Sequence, residues 1–345
     1  MTDVEIKVLG LSLRTRLTDL FGIPHPIVCA PMALVTGGRL AAAVSDAGGL
    51  GIVGGGYAGL LGGEPDLGQE LALVAGRRFG VGFITWALAR APALLDQILA
   101  HAPHCVFLSF GDPRPFAETI RQSGARLICQ VQSLRHVGEA LEAGASVIVA
   151  QGTEAGGHGA RRSTLPFVPE VADYLAKHSP ATLLLAAGGI ADGRGLAAAL
   201  MLGADGVVVG TRFWASAEAL TPAAFTDRAE RATGDDTVRT KSIDRLRGTP
   251  WPEEFSFRVL TNKLTEAWAD RETEAAAAFG SLAAAYADAR SRHDLDMVVT
   301  VAGECVGLIH DRPRAGAIVD AMIAEARAAI IRGGALVAND GKSES

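Results

Sequence analysis

From residue 26 onward the chain alternates apolar runs of β type with helical patterns, and short glycine-bearing turns join them. Eight such runs can be counted, at residues 26–30, 50–53, 79–84, 105–110, 126–131, 146–150, 182–187 and 206–209. Each is almost unbroken Val, Ile, Leu, Ala or Phe, the composition of parallel strands buried on both faces. Helical patterns fill the gaps at residues 38–47, 92–100, 115–123, 134–143, 168–177 and 193–202, and most stop at a glycine cap. Eight β/α units close most naturally on themselves, so the expected fold is α/β, a (β/α)8 TIM barrel.

The closing helix is delayed. After Thr211-Arg-Phe-Trp214 the pattern becomes helix-rich and Ala-rich, and only residues 313–331 supply an amphipathic helix able to finish a barrel. The expected organisation is a barrel from residues 1–212 and 305–345, with residues 213–304 inserted after strand eight as a helical cap. A chain of 345 residues with 49% apolar content has room for both. The cap should cover the strand C-termini, where barrel loops build sites. The polar tail, residues 339–345, is expected to fray.

Composition narrows the function classes. A formal charge of −6 without a Lys/Arg cluster argues against nucleic acid and for a small-molecule substrate. The four cysteines form no Cys-x-x-Cys pair and sit mostly in apolar runs, as core residues in a reducing compartment do, so neither a disulfide frame nor a metal site is expected. Charges interrupt residues 1–20, and no apolar run reaches the length of a membrane span. The expectation is therefore a cytoplasmic protein without a membrane partner; a homo-oligomer stays open.

Four motifs fall at strand exits. Gln151-Gly-Thr-Glu-Ala-Gly-Gly-His158 puts a histidine on a glycine turn after strand six, where an imidazole could take a proton near neutral pH. The alternative there is a tight turn with an incidental surface histidine. The paired Gly188 and Gly189 end strand seven before an Asp192 helix cap, and Gly210-Thr211 ends strand eight. Barrels commonly hold a phosphate between these two loops, on backbone amides and a helix N-terminus; glycines serving only as tight turns are the competing explanation. Strand one leaves through Ala30-Pro31-Met32, where the proline stiffens the chain and the Met32 N–H is expected to stay free to donate.

Together, Pro26-Ile-Val-Cys-Ala-Pro-Met32, Ser45-Asp-Ala-Gly-Gly-Leu-Gly51, Phe79-Gly-Val-Gly-Phe83, the His158 motif, Ala186-Ala-Gly-Gly-Ile-Ala-Asp-Gly193 and Gly206-Val-Val-Val-Gly-Thr-Arg-Phe213 resemble the nitronate monooxygenase family, formerly the 2-nitropropane dioxygenases. Flavin-type enoyl-acyl-carrier-protein reductases share most of these motifs. The resemblance implies a flavoprotein oxidoreductase that binds FMN non-covalently and oxidises alkyl nitronates or nitroalkanes with O2 to a carbonyl compound and nitrite. It implies His158 as the catalytic base. It also implies FMN contacts at Ala30, Pro31, Met32, Gln151, Gly156 and Gly157, with the phosphate at Gly188, Gly189, Val208, Val209, Gly210 and Thr211. Many members carry Asn where this chain has Gly82, so only a backbone contact is left there, with Gln130 or Gln132 able to compensate. Trp214, Phe255, Phe257 and Trp268 are candidates for the substrate side, although packing is the plainer role for each. Other readings are a flavin-dependent NAD(P)H:quinone or enoyl-thioester reductase, a cofactor-free barrel lyase or isomerase for a phosphorylated substrate, and a non-catalytic flavin carrier or sensor.

Overall fold

The computed structural model describes residues 13–60 and 64–337; the predicted frayed tail at 339–345 lies outside the described residues. Six strands come first: β1 (Ile27–Cys29), β2 (Gly51–Gly56), β3 (Phe79–Ile84), β4 (Cys105–Ser109), β5 (Arg126–Val131) and β6 (Val147–Gln151). A short outlying strand, β7 (Gly157–Gly159), precedes β8 (Leu183–Ala187) and β9 (Gly206–Val209). All but β7 form one parallel sheet in the order β1-β9-β8-β6-β5-β4-β3-β2. A parallel bridge between Val28 and Leu50 joins its two ends, and the Cys29 N–H donates to Leu50 O at 2.9 Å, closing the barrel.

The unbroken apolar runs follow from what lies on either side of this wall. Val28, Ile52, Phe107, Ile128, Val149, Leu185 and Val208 fill the interior, whereas Ile27, Val53, Val81, Val106, Ile148, Leu184 and Val209 pack outward against helices. Neither face meets water, so the sequence has no polar alternation to show. Leu17 and Phe21 of the helix Arg16–Phe21 join the interior cluster, and Arg16 pairs with Asp205 at 2.7 Å just before β9. That helix therefore stops the amino end of the barrel and leaves the strand C-termini as its mouth. At the closing helix, Ala315–Gly334, Glu325 accepts the Gly193 N–H at 2.8 Å. No helix among the described residues is long and apolar enough to cross a membrane.

The insertion is not helical throughout. Beside the helices Ala223–Ala229, Ser242–Arg247, Lys263–Trp268 and Glu272–Ser291 it carries strands β10 (Thr237–Thr240) and β11 (Ser256–Leu260). These pair antiparallel, and the free edge of β11 takes β7, pairing Phe257 with His158. Val238, Phe257 and Val259 alternate inward to the cap's own apolar cluster. The insertion starts and returns at one place: Gly303 N–H donates to Thr211 Oγ1 at 3.0 Å, and Glu304 N–H to Glu154 O at 2.9 Å.

Candidate active site

His158 is not an incidental surface residue. Its ring lies between Trp251 (centroids 3.4 Å apart, planes at 7°) and Phe257 (4.3 Å, 10°). Its Nε2 meets Asp244 Oδ2 at 2.9 Å, with the two side chains only 6% and 5% exposed. A carboxylate can only accept, so Nε2 carries the proton and the lone pair of the neutral ring is on Nδ1. Nδ1 has no hydrogen-bond partner among the described residues. Burial pulls the His158 pKa below the ordinary 6.5; Asp244 opposes this, and the positive Arg247 and Arg239 add to it. Desolvation is the larger influence, so the imidazole rests neutral and ready to accept a proton.

Several predicted contacts turn out to build this histidine's seat. Gln151 Oε1 accepts from Gln132 Nε2 at 2.9 Å, and Gln151 Nε2 donates to the His158 carbonyl at 3.1 Å. One end of the Gln151 amide thus holds β7 while the other ties it to Gln132 at the exit of β5. Gly156 lies against the returning chain, where a Cβ would come within 2.6 Å of Ala302 C and Gly303 N, and Gly157 enters β7 with φ of +76°. Gln130 lines a small cavity with Gln132, Phe110 and Phe255.

At the ends of β8 and β9 the glycine turns predicted for a phosphate lie side by side, because the strands are neighbours, with Ala187 opposite Val208. Gly188 and Gly189 have φ of +99° and +76°, a region that side chains avoid. Apart from the β8–β9 ladder, in which Ala187 pairs with Val208, the N–H groups of Gly188, Gly189, Gly210 and Thr211 donate to no partner among the described residues. Four such amides on two adjacent turns suit an anion without a lysine. Val208 and Val209 are core side chains, 3% and 0% exposed, so only their backbone could face a ligand.

The exit of β1 corrects one expectation. Met32 N–H is not free: it donates to Ala30 O at 2.9 Å and to Thr36 Oγ1 at 3.2 Å, because the chain folds back tightly over Pro31. Gly82 has a reason here too. A Cβ at 82 would run into Cβ and Cγ of Pro31, so the pyrrolidine ring occupies the space of a side chain. Gly82→Asn is expected to displace Pro31 and cost about 1–3 kcal/mol by overpacking, read as a lower midpoint in thermal or urea unfolding. An unchanged midpoint would mean that the β1 exit is not held by this contact.

Around His158 the structure gathers Tyr57, Trp86, Phe110, Trp251 and Phe255 into one aromatic cluster, with Trp251 Nε1 donating to Tyr57 Oη at 3.2 Å. Of the suggested substrate-side residues, Phe255 and Phe257 belong to this neighbourhood. Trp214 packs with Ala302 and Val306, and Trp268 packs against the cap's core. Sequence reasoning missed Asp244 and Trp251. The aromatic stretch Trp251-Pro-Glu-Glu-Phe255-Ser-Phe257 was a usable signal in an Ala-rich insertion, whereas nothing local marks Asp244.

A closed barrel whose mouth is roofed by an insertion that supplies half of a buried histidine–aspartate pair belongs to the capped β/α-barrel enzymes. Within that class, the model of the nitronate monooxygenase family matches residues 14–81 and 86–325. The chain belongs to that family, which consists of flavin oxidoreductases. It is 39% identical over 338 residues to nitronate monooxygenase npaC of Metarhizium robertsii, covering 88% of this chain and 91% of that protein. FabK from Thermotoga maritima superposes with a TM-score of 0.80 at 29% identity, over 94% of this chain and 100% of that one. Nitroalkane oxidase from Streptomyces ansochromogenes gives 0.74 at 26% identity, over 92% and 99%.

Proposed function

We propose that the protein uses FMN and O2 to oxidise alkyl nitronates to a carbonyl compound and nitrite, and that His158 admits neutral nitroalkanes to the same reaction by removing their α-proton. The observation that carries the base assignment is the 2.9 Å contact of His158 Nε2 with buried Asp244, which leaves the Nδ1 lone pair available. FMN, when bound, supplies the electron transfer. Its phosphate would lie on the amides of Gly188, Gly189, Gly210 and Thr211, and its ring against Ala30, Pro31 and Met32, with Gly82 behind Pro31.

The chain's own part is acid–base chemistry and exclusion of water. The α-proton moves from substrate carbon to His158 Nδ1, while Nε2 keeps its proton, hydrogen-bonded to Asp244, and that carboxylate stabilises the imidazolium formed. The stacked Trp251 and Phe257 fix the ring plane, and the aromatic cluster keeps the pocket poor in water. A nitronate that arrives already deprotonated needs none of this.

The pH dependence follows with its sign. The base acts unprotonated and its pKa is lowered by burial, so kcat/KM for a neutral nitroalkane should hold down past pH 6.5 before it falls. Asp244→Asn removes the one influence from a side chain that raises this pKa. It should move the acidic limb lower still and reduce the plateau on the order of 10²-fold. A limb that stayed in place in the variant would take Asp244 out of the scheme.

The direct test of the whole reading is the visible spectrum of the purified protein, followed by anaerobic mixing with a nitronate and, separately, with NADH and NADPH. A yellow protein bleached by the nitronate alone is expected. Bleaching only by a pyridine nucleotide would replace the reading with a reductase, and a colourless protein that FMN cannot reconstitute would replace it with a cofactor-free lyase.

A further inference from the structure

A second cavity, of about 550 Å³, opens in the cap between the helices Ser242–Arg247 and Glu272–Ser291. Its lining includes Arg247, Thr249, Tyr286, Arg290 and His293, and no carboxylate. Tyr286 and Arg290 are four residues apart on one helix face, and Ala283 and Ala287 beside them leave the floor open.

Arg247 is the informative member. Half-buried, it makes no hydrogen bond or ion pair among the described residues. Asp244 on its own helix attracts it electrostatically without bonding it, and gives one oxygen, Oδ2, to His158. Arg290 and His293 make no ion pair among the described residues. Two guanidinium groups, an imidazole and neighbouring hydroxyls offer more donors than a single carboxylate can use, and a desolvated arginine gains most from a charged acceptor. Phe257 separates the cavity from the histidine: the Arg247 guanidinium stands 5.9 Å from the Phe257 ring, which stacks on His158.

We propose that this cleft is a phosphate subsite, and that the protein binds ligands bearing a phosphate ester or pyrophosphate group there, held by Arg247, Arg290 and His293. The subsite stands on its own geometry and is independent of the function proposed above.

The test is calorimetric titration of inorganic pyrophosphate into the full chain in saturating FMN, so that the cradle at β8 and β9 is already filled. It reads binding without turnover, so its outcome is independent of whether nitronates are oxidised. One pyrophosphate per chain is expected, weakening as salt is raised and by about tenfold in Arg290→Ala, an exposed position whose loss leaves the fold intact. Arg247→Gln should abolish it. No binding, equal binding by Arg290→Ala, or succinate binding as tightly as pyrophosphate would each overturn the proposal.

Discussion

His158→Ala is expected to bind FMN as the wild-type chain does, yet to lose about 10²- to 10⁴-fold in turnover of a neutral nitroalkane, the range that a positioned base contributes. Turnover of the pre-formed nitronate should fall far less. The asymmetry is the point: the C–H bond must be broken in one substrate and is already ionised in the other. Steady-state oxygen uptake with both forms, at matched flavin content, checks it. Equal losses on the two substrates would assign His158 to packing between Trp251 and Phe257 instead.

The second large effect concerns Gly189. At φ of +76° a β-branched residue is strained wherever it points, and a Cβ there would also come within 3.3 Å of Glu154 Cβ. Gly189→Val should turn this loop out of its left-handed conformation and withdraw the amides of Gly188 and Gly189 from the cradle. Two hydrogen bonds to a charged phosphate are worth roughly 3–6 kcal/mol together, or about 10²- to 10⁴-fold in affinity. The variant is expected to purify colourless with an unchanged far-ultraviolet spectrum. Full FMN content in the folded variant would remove the phosphate from β8 and β9.

Neither effect depends on the same part of the chain. The proposed cradle is made of local turns after adjacent strands, whereas the histidine depends on an insertion reaching back over the barrel mouth. A protein that keeps FMN but loses nitroalkane turnover, beside one that loses FMN altogether, would separate the two experimentally.

How far the sequence carries follows the range of the interactions. The barrel strands were legible because burial on both faces writes itself as uninterrupted apolar runs, and β3, β5 and β9 coincide with the predicted limits. Gly188, Gly189, Gly210 and Thr211 were legible because tight βα turns demand glycine locally. The strands of the insertion were harder, since Thr237–Thr240 and Ser256–Leu260 are short alternations between helical stretches. Gly82 looked like the loss of an asparagine until Pro31 was seen filling its space.

By itself, then, the sequence determined the eight-stranded wall, the delayed closing helix and the glycine turns at the strand ends, all products of neighbours along the chain. Only the tertiary structure decided what His158 is. Its partner Asp244 lies 86 residues away and its stacking partners Trp251 and Phe257 further still, brought there by β7 pairing with β11. Contacts across such separations leave no periodic trace in either segment. They exist because the cap buries its apolar face over the mouth, and in doing so makes the environment that lowers the histidine's pKa and orients its proton.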